Sequence, residues 1–419
     1  MVVLSNPTGN TIVRAIARAL RRAEWLDALY TTIAFPDPGE HWWLPTGARS
    51  QLLRRYFEVE YRLVHAHPAL ECVRLAASRL GYGQLSRPGG IASVEAVYRE
   101  FDRYVARRIG SRRVSDRVRT VYAYEDASEY SFEAARARGL ACIYEMPIAH
   151  WQTVQRLLHE EAERLPDWRQ TIQGLDDSPA KLDRKTHELE LADAIVVPSR
   201  FVLESLPPSI RASKRCLLAP FGAPSPAAYA DDTRRTAAGP LRVMFAGSMT
   251  QRKGLADLFA AMRLLDRRDV ELVVLGALNA PMAFYRSQFD AFRYEGTRPH
   301  TGVLDVMRTC DVLALPALVE GRALVQQEAL ACGLPLIVTP NTGGDDLIEE
   351  GRTGFIVPIR SPEAIAERIA WFADHRHELP DMRRHAVRKA AETSWLHYEN
   401  QVLDLVRDTF GSELHAAAS

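Results

Sequence analysis

Short apolar runs alternate with helix-patterned stretches along almost the whole chain, and this alternation restricts the possible folds more than any other feature. Residues 241–245, 270–275, 312–315 and 336–339 are apolar runs bounded by turn residues and separated by helical stretches. Strands that are apolar throughout, instead of alternating in polarity, belong to parallel sheets covered by helices on both faces. The first half follows the same rule less cleanly. Strands are predicted at 2–5, 29–34, 120–123, 140–144 and 194–197, with helices at 130–139 and 151–165. After the first strand and the turn Asn6-Pro-Thr-Gly-Asn10, residues Val13, Ile16, Ala17 and Leu20 form one apolar stripe, and Arg14, Arg18, Arg21 and Arg22 lie off it. A proline-rich segment separates the halves. The reading is two α/β domains: residues 1–222, a linker at 223–240, and 241–388. A C-terminal helix at 389–410 is expected to pack back on the first domain, before a flexible tail at 411–419.

Composition narrows the function. Lys+Arg 53 against Asp+Glu 53 argues against a nucleic-acid binder that works by charge. The five cysteines lie far apart with no CxxC, so neither a disulfide scaffold nor a cysteine-built zinc site is expected. No apolar run approaches the ~18 residues needed to span a membrane, and the N-terminus lacks a signal-peptide pattern. A cytoplasmic location is therefore expected. Residues 41–119 hold 15 basic side chains against 7 acidic ones, with Trp42, Trp43, Tyr56, Phe57 and Tyr61 among them, and residues 52–64 read as a basic helix. This region fits an Arg-rich solvated face over aromatic core residues. It also fits peripheral contact with an anionic or lipid-linked partner at the inner face of a membrane.

Three strand-to-helix loops in the second half could carry chemistry, because strand C-termini and helix N-termini are where α/β folds hold anions. In Phe245-Ala-Gly-Ser-Met-Thr-Gln-Arg-Lys-Gly254, Gly247 turns the chain off the sheet. Arg252 and Lys253 then stand at a helix N-terminus, where the macrodipole disfavours cations unless an anion lies between them. In residues 316–333, Glu320 and Glu328 lie about 10–12 Å apart and within about 80° of azimuth if helical. The N–H groups of Ala323, Leu324 and Val325 could hold a diphosphate between two hydroxyl-binding carboxylates. In Thr339-Pro-Asn-Thr-Gly-Gly-Asp-Asp346, Gly343 and Gly344 allow close backbone approach. A fourth segment, 350–358, reads as a structural turn and strand. Each loop taken alone also has an ordinary structural explanation.

In combination, GSMTQRKG, DVLALP, EGRALVQQEALACGLPLIVT and NTGGDDLIEEGRTGFIVP closely resemble the donor domain of retaining glycosyltransferase family four (glycosyl transferases group 1), in order and spacing over 241–360. Residues 188–202 resemble that family's last N-domain strand. The resemblance implies a GT-B fold, two Rossmann-like domains with parallel sheets facing across a cleft. It implies an acceptor-side first domain and a nucleotide-sugar donor domain second. The implied activity is a metal-independent, configuration-retaining sugar transfer from a nucleotide-diphosphate sugar to a hydroxyl acceptor (a saccharide, a lipid-linked or a small molecule), with no cofactor and no metal. Arg252 and Lys253 would neutralise the leaving diphosphate, Glu320 would contact sugar hydroxyls, and Glu328 the ribose. Ser248 stands where many members carry a further phosphate-binding Arg, and Arg322-Ala323 where an aromatic and a glycine are common. Gly9 and Asn10 could approach the donor across the cleft. Glu145 and His150 both follow a middle strand from which a donor-sugar contact is expected, and both remain candidates as catalytic residues. Other readings are a GT-B epimerase or phosphorylase, and a catalytically silent nucleotide-sugar-binding scaffold.

Overall fold

The structure is a computed structural model and describes residues 1–36, 55–111, 114–175, 177–225 and 239–416. Trp42 and Trp43, linker residues 226–238 and residues 417–419 lie outside the described set.

The first domain is built on seven parallel strands: β1 (Val2–Ser5), β2 (Leu26–Thr31), β3 (Val64–Ala66), β4 (Thr120–Tyr124), β5 (Ala141–Glu145), β6 (Ala194–Val197) and β7 (Arg215–Leu218). Their spatial order is β3-β2-β1-β4-β5-β6-β7. The second sheet has the order β10-β9-β8-β11-β12-β13. Its strands are β8 (Leu241–Ala246), β9 (Val270–Leu275), β10 (Phe292–Gly296), β11 (Val312–Leu315), β12 (Leu336–Val338) and β13 (Gly354–Ile356). Winding reverses between β1 and β4 in one sheet and between β8 and β11 in the other. Crevices open at the carboxyl ends of strands at such reversals, so the topology alone marks two sites. This is the two-domain, twice-Rossmann-like GT-B architecture.

Central strands form because their side chains are buried on both faces; β1, β6, β11 and β12 contain no exposed residue. The sheet edges depart from the sequence reading. Strand β2 begins at Leu26, where a 29–34 strand is expected, because Glu24 adopts φ +59° and turns the chain straight out of the first helix. The polar Asp27 hides that start. The basic helix expected at 52–64 is absent over its described part. Residues 61–63 form one 3-10 turn, and Val64 pairs with Leu29 as the edge strand β3. Tertiary pairing overrides helical patterning there.

Helix Trp395–Ala416 lies on the first domain, where Tyr398, Val402, Leu405 and Val406 join a core with Val2, Leu4, Ile16 and Tyr122. It takes in most of the segment read as a tail from Gly411. Arg18 and Arg22 of helix Thr11–Arg22 pair with the buried Glu399 at 2.9 and 2.8 Å. Among the described residues no helix is long and apolar enough to cross a membrane.

This helix also disposes of one candidate. Glu145, at the end of β5, is 1% exposed; its carboxylate accepts the hydroxyls of Tyr122 and, at 3.3 Å, Tyr398. The expectation that it serves as a catalytic residue is therefore corrected: two tyrosines and the C-terminal helix seal it from any ligand. Burial pushes its pKa up to about 7, against the lowering effect of the two tyrosine hydrogen bonds. A carboxyl whose pKa is raised on folding contributes stability that is complete below its unfolded pKa and is lost as pH rises through the folded value. Melting temperature should therefore fall as pH rises from about 4.5 towards 7. Glu145→Gln should flatten that part of the profile, leaving the contribution of Glu188, whose buried carboxyl is pushed to about 8. An unchanged profile in the variant would contradict this assignment.

Candidate functional site

The densest charge at the second sheet's winding reversal comes from the loops after β8 and β11. Leaving β8, Gly247 takes φ +142°, and a Cβ there would lie 2.9 Å from Cδ of Lys253. The bare glycine thus lets the lysine stem lie across the turn and carry its amine to the next loop. Thr250 accepts the Arg252 N–H at 3.2 Å and starts a 3-10 turn at 251–253. Lys253 Nζ donates to Glu320 Oε1 at 2.6 Å, and Arg252 Nη1 lies 3.3 Å from the same oxygen. Arg252 also donates to the Val319 carbonyl at 3.1 Å, while its own carbonyl accepts from Leu318 N–H at 2.9 Å. Burial raises the pKa of Glu320, but the Lys253 and Arg252 charges and the Lys253 hydrogen bond outweigh it and hold the carboxyl below its ordinary value. Two cations around one anion leave the cluster positive, a suitable surround for an added phosphate.

Helix Leu324–Ala331 begins four residues after Glu320, in the connection that leaves the carboxyl end of β11. The Ala323 N–H donates to the Thr342 carbonyl at 3.2 Å, so this donor, expected to meet a ligand, is committed within the protein. Glu328 is mostly buried, and its carboxylate accepts from His300 Nε2 at 2.9 Å. The Gly343-Gly344 turn is buried against these elements: the Gly343 carbonyl accepts from Arg322 at 3.0 Å, and Gly344 abuts Gln326. Ser248 is half-buried, and its carbonyl accepts from Thr250 N–H at 2.9 Å.

The first domain closes directly over these loops. A Cβ on Gly321 would overlap the Pro147 carbonyl, and Ser199 Oγ donates to the Gly321 carbonyl at 2.6 Å. Ala149, Leu157 and Leu158 share a small core with Leu318 and Val319. His150 follows this contact segment, 3% exposed, and caps helix Trp151–Arg164 through Nδ1, 3.4 Å from Gln152 N–H. Burial first, and then the Lys185 charge, depress its pKa to about 4, so it is a neutral imidazole at pH 7. Nδ1 accepts, which leaves the proton on Nε2. Asn10 behaves differently from expectation: its side chain caps helix Thr11–Arg22 by accepting Val13 N–H at 2.9 Å, and that oxygen is committed to the helix. Gly9 lies half-buried in the preceding turn. Leu324 packs against the first domain's core that contains Ile12, Val13 and Phe221.

Sequence reading missed Gln251 and His300 and left the role of Arg322 open. Gln251 is fully buried; its amide donates to Glu161 at 2.5 Å and Asp257 at 2.8 Å, and its N–H meets Thr171 Oγ1 at 3.1 Å, tying the cation loop to the first domain. Arg322, at the position where an aromatic is common, is buried and forks onto Asp346 at 2.5 and 3.0 Å, so an ion pair replaces aromatic packing under the Gly343 turn. His300 opens helix His300–Met307 with no motif around it. Gln and His in these contexts carry no periodic signal, whereas Arg322 was visible as a departure.

Among the described residues no group of three or more His, Cys, Asp and Glu side chains is placed to hold a metal ion. Gly321→Ala should lower stability by about 1–3 kcal/mol, the usual cost of overpacking, read as a reduced melting temperature. A variant melting like the wild type would show that the contact with Pro147 yields without cost.

Residues 240–375 match the family model described as glycosyl transferases group 1. The D-inositol 3-phosphate glycosyltransferase of Corynebacterium glutamicum (strain R) is 30% identical over 184 residues, 41% of this chain and 44% of that protein. The match thus spans less than half of that relative's length. Sucrose-phosphate synthase from Thermosynechococcus elongatus superposes with a TM-score of 0.67 at 16% identity, covering 98% of this chain and 100% of that one. Anabaena Alr3699/HepE in complex with UDP and glucose superposes with a TM-score of 0.57 at 13% identity, over 97% of this chain and 99% of that one. These structural likenesses concern the fold.

Proposed function

We propose that this chain, whose residues 240–375 form a glycosyl transferases group 1 domain, moves a sugar from a nucleotide-diphosphate sugar to a hydroxyl acceptor with retention of configuration and without a divalent metal. The observation that carries the reading is the Arg252–Lys253–Glu320 cluster at the second sheet's winding reversal. Support for a uridine donor comes from the structurally similar Anabaena protein solved in complex with UDP and glucose.

In this reading the donor diphosphate lies against Arg252, Lys253 and the N–H groups of Leu324 and Val325. Cations and a helix terminus are fixed before the reaction, and they stabilise charge that grows as the sugar–phosphate bond breaks. Lys253 exchanges part of its hold on Glu320 for a phosphate oxygen, and Glu320 then accepts hydrogen bonds from sugar hydroxyls. Glu328 takes the ribose hydroxyls in place of His300. The Gly343-Gly344 turn and Gly9 let backbone approach the donor, and Ser248 faces the phosphates from the first loop. Neutral His150 supplies Nε2–H to the sugar. The acceptor arrives on the face from which the diphosphate departs: its oxygen bonds to the anomeric carbon, the carbon–phosphate-oxygen bond breaks, and the acceptor proton passes to the departing diphosphate.

Lys253→Ala and Glu320→Ala should each lower nucleoside-diphosphate release from the active nucleotide sugar by at least about 100-fold. Near-wild-type turnover in either would remove that residue from the reaction. A melting-shift panel with UDP, GDP, ADP and dTDP selects the donor, since a ligand at about 100 times its Kd adds about 2.7 kcal/mol of stability. Turnover abolished by a chelator and restored by magnesium would contradict the metal-free mechanism.

We also propose contact with an anionic membrane face at the cytoplasmic side. The arginine-rich stretch at 41–119 presents Leu80, Tyr82 and Ile91 at 71%, 64% and 73% exposure. Sedimentation with phosphatidylglycerol vesicles should be lost in the Leu80→Ser/Ile91→Ser variant, and sedimentation unchanged by these substitutions would count against that face.

A further inference from the structure

The first sheet has its own winding reversal, between β1 and β4, and a second charged pocket lies against the turn that follows β1. A cavity of about 270 Å³ is lined by Pro7, Thr8 and Gly9 of the turn after β1, and by Arg55, Arg74 and Tyr98. Glu71, mostly buried, anchors the basic wall: Arg74 grips it two-pronged at 2.6 and 2.8 Å, and Arg55 reaches it through one Nη2 at 3.5 Å. A contact at 3.5 Å is at the outer limit of a hydrogen bond, and it uses one of the five N–H donors a guanidinium carries. Two guanidinium groups against one carboxylate leave this wall positive. Both arginine side chains are about a quarter exposed, at 24% and 26%, so they are open to a ligand as well as to Glu71. Helix Thr11–Arg22 starts directly after the lining turn and adds its positive end. Burial pushes the Tyr98 phenol up to about 12, which keeps it a hydrogen donor.

Planar arginines paired in a concave site suit a tetrahedral, multiply charged oxyanion better than a neutral hydroxyl group. The turn that lines this pocket continues into helix Thr11–Arg22, whose Ile12 and Val13 belong to the core against which Leu324 of the other domain packs. The lining turn follows β1, so the pocket opens at the carboxyl end of the first sheet, where parallel α/β sheets hold their ligands.

We propose that this pocket binds a phosphate group carried by the acceptor, so that the substrate class is a phosphorylated sugar or polyol, or the same group as a lipid headgroup. The inference rests on the glycosyltransferase reading for the word acceptor, while the pocket's phosphate binding is testable without it.

The test is calorimetric titration of the full chain with glucose 6-phosphate, fructose 6-phosphate and inositol 1-phosphate. The controls are their unphosphorylated forms and inorganic phosphate, and a parallel arm uses phosphatidylinositol in phosphatidylcholine vesicles. Each is run in wild type, Lys253→Ala, Arg55→Gln and Arg74→Gln. At least one phosphorylated probe should bind at least tenfold more tightly than its unphosphorylated form. That binding should survive Lys253→Ala, which empties the donor cluster of a cation, and weaken at least tenfold in Arg55→Gln and Arg74→Gln. Binding by the soluble esters marks a free sugar phosphate, and binding by the vesicles alone marks a headgroup. The nucleotide melting shift should persist in both arginine variants, which shows that they fold. Glu71→Gln/Arg74→Gln repeats the measurement without an unpaired buried carboxylate. The proposal is overturned if no phosphorylated probe binds, if binding is unaffected by the arginine substitutions, or if Lys253→Ala abolishes it. A missing nucleotide shift in the wild type would instead overturn the donor reading, and leave the pocket's result standing.

Discussion

Glu161 is the point on which the cleft depends. It sits fully buried on helix Trp151–Arg164, where Arg164 holds it at 2.6 Å, Arg360 of the second domain at 2.8 Å and Gln251 of the cation loop at 2.5 Å. Arg164 also reaches Asp257 across the cleft at 2.7 Å. Removing a carboxylate from water costs several kcal/mol, and the cost is offset only when every partner is in place. This network spans both domains, so it is fully satisfied only when they are closed on each other. Apolar contact alone would hold the domains together without specifying their alignment; the short geometric range of the hydrogen bonds supplies that alignment.

The consequence for the site is positional. Gln251 immediately precedes Arg252 and Lys253, so the group that locks the domains is continuous with the group that presents the cations. Ser199 and Pro147 press on Gly321 from the other side. The carboxylate of Glu320 and its two cations are thus framed by one sheet and clamped by the other domain, with little freedom to relax toward solvent. Preorganisation of this kind is what makes fixed charges effective against charge that develops during a reaction. The two winding reversals make the arrangement nearly symmetric in principle: each sheet presents a glycine-bearing turn, a helix N-terminus and a pair of cations.

Some of this was legible from residue order. Strands β8, β9, β11 and β12 announced themselves as apolar runs because burial on both faces removes polar residues. The loops after β8, β11 and β12 stood out because glycine, cations and carboxylates at strand ends are costly without a purpose. Edge strands β3, β7 and β10 did not show, since an edge is buried on fewer sides and tolerates His65, Arg215 or Arg293. Glu145 and His150 could not be separated by order alone. Five residues apart at the end of one strand, one is roofed by a helix about 250 positions away and the other lies beside the interdomain contact.

The sequence by itself determined the two-domain parallel-sheet architecture and the loops that could hold an anion, because both follow from local hydrophobic pattern and from the backbone freedom of glycine. Only the tertiary structure decided which charges meet. Lys253 with Glu320, Glu161 with three partners, and Arg55 with Arg74 around Glu71 join residues separated in the chain, and Coulomb attraction and hydrogen bonding act through distance in space. Nothing in local order encodes that distance until the sheets are wound and the domains closed.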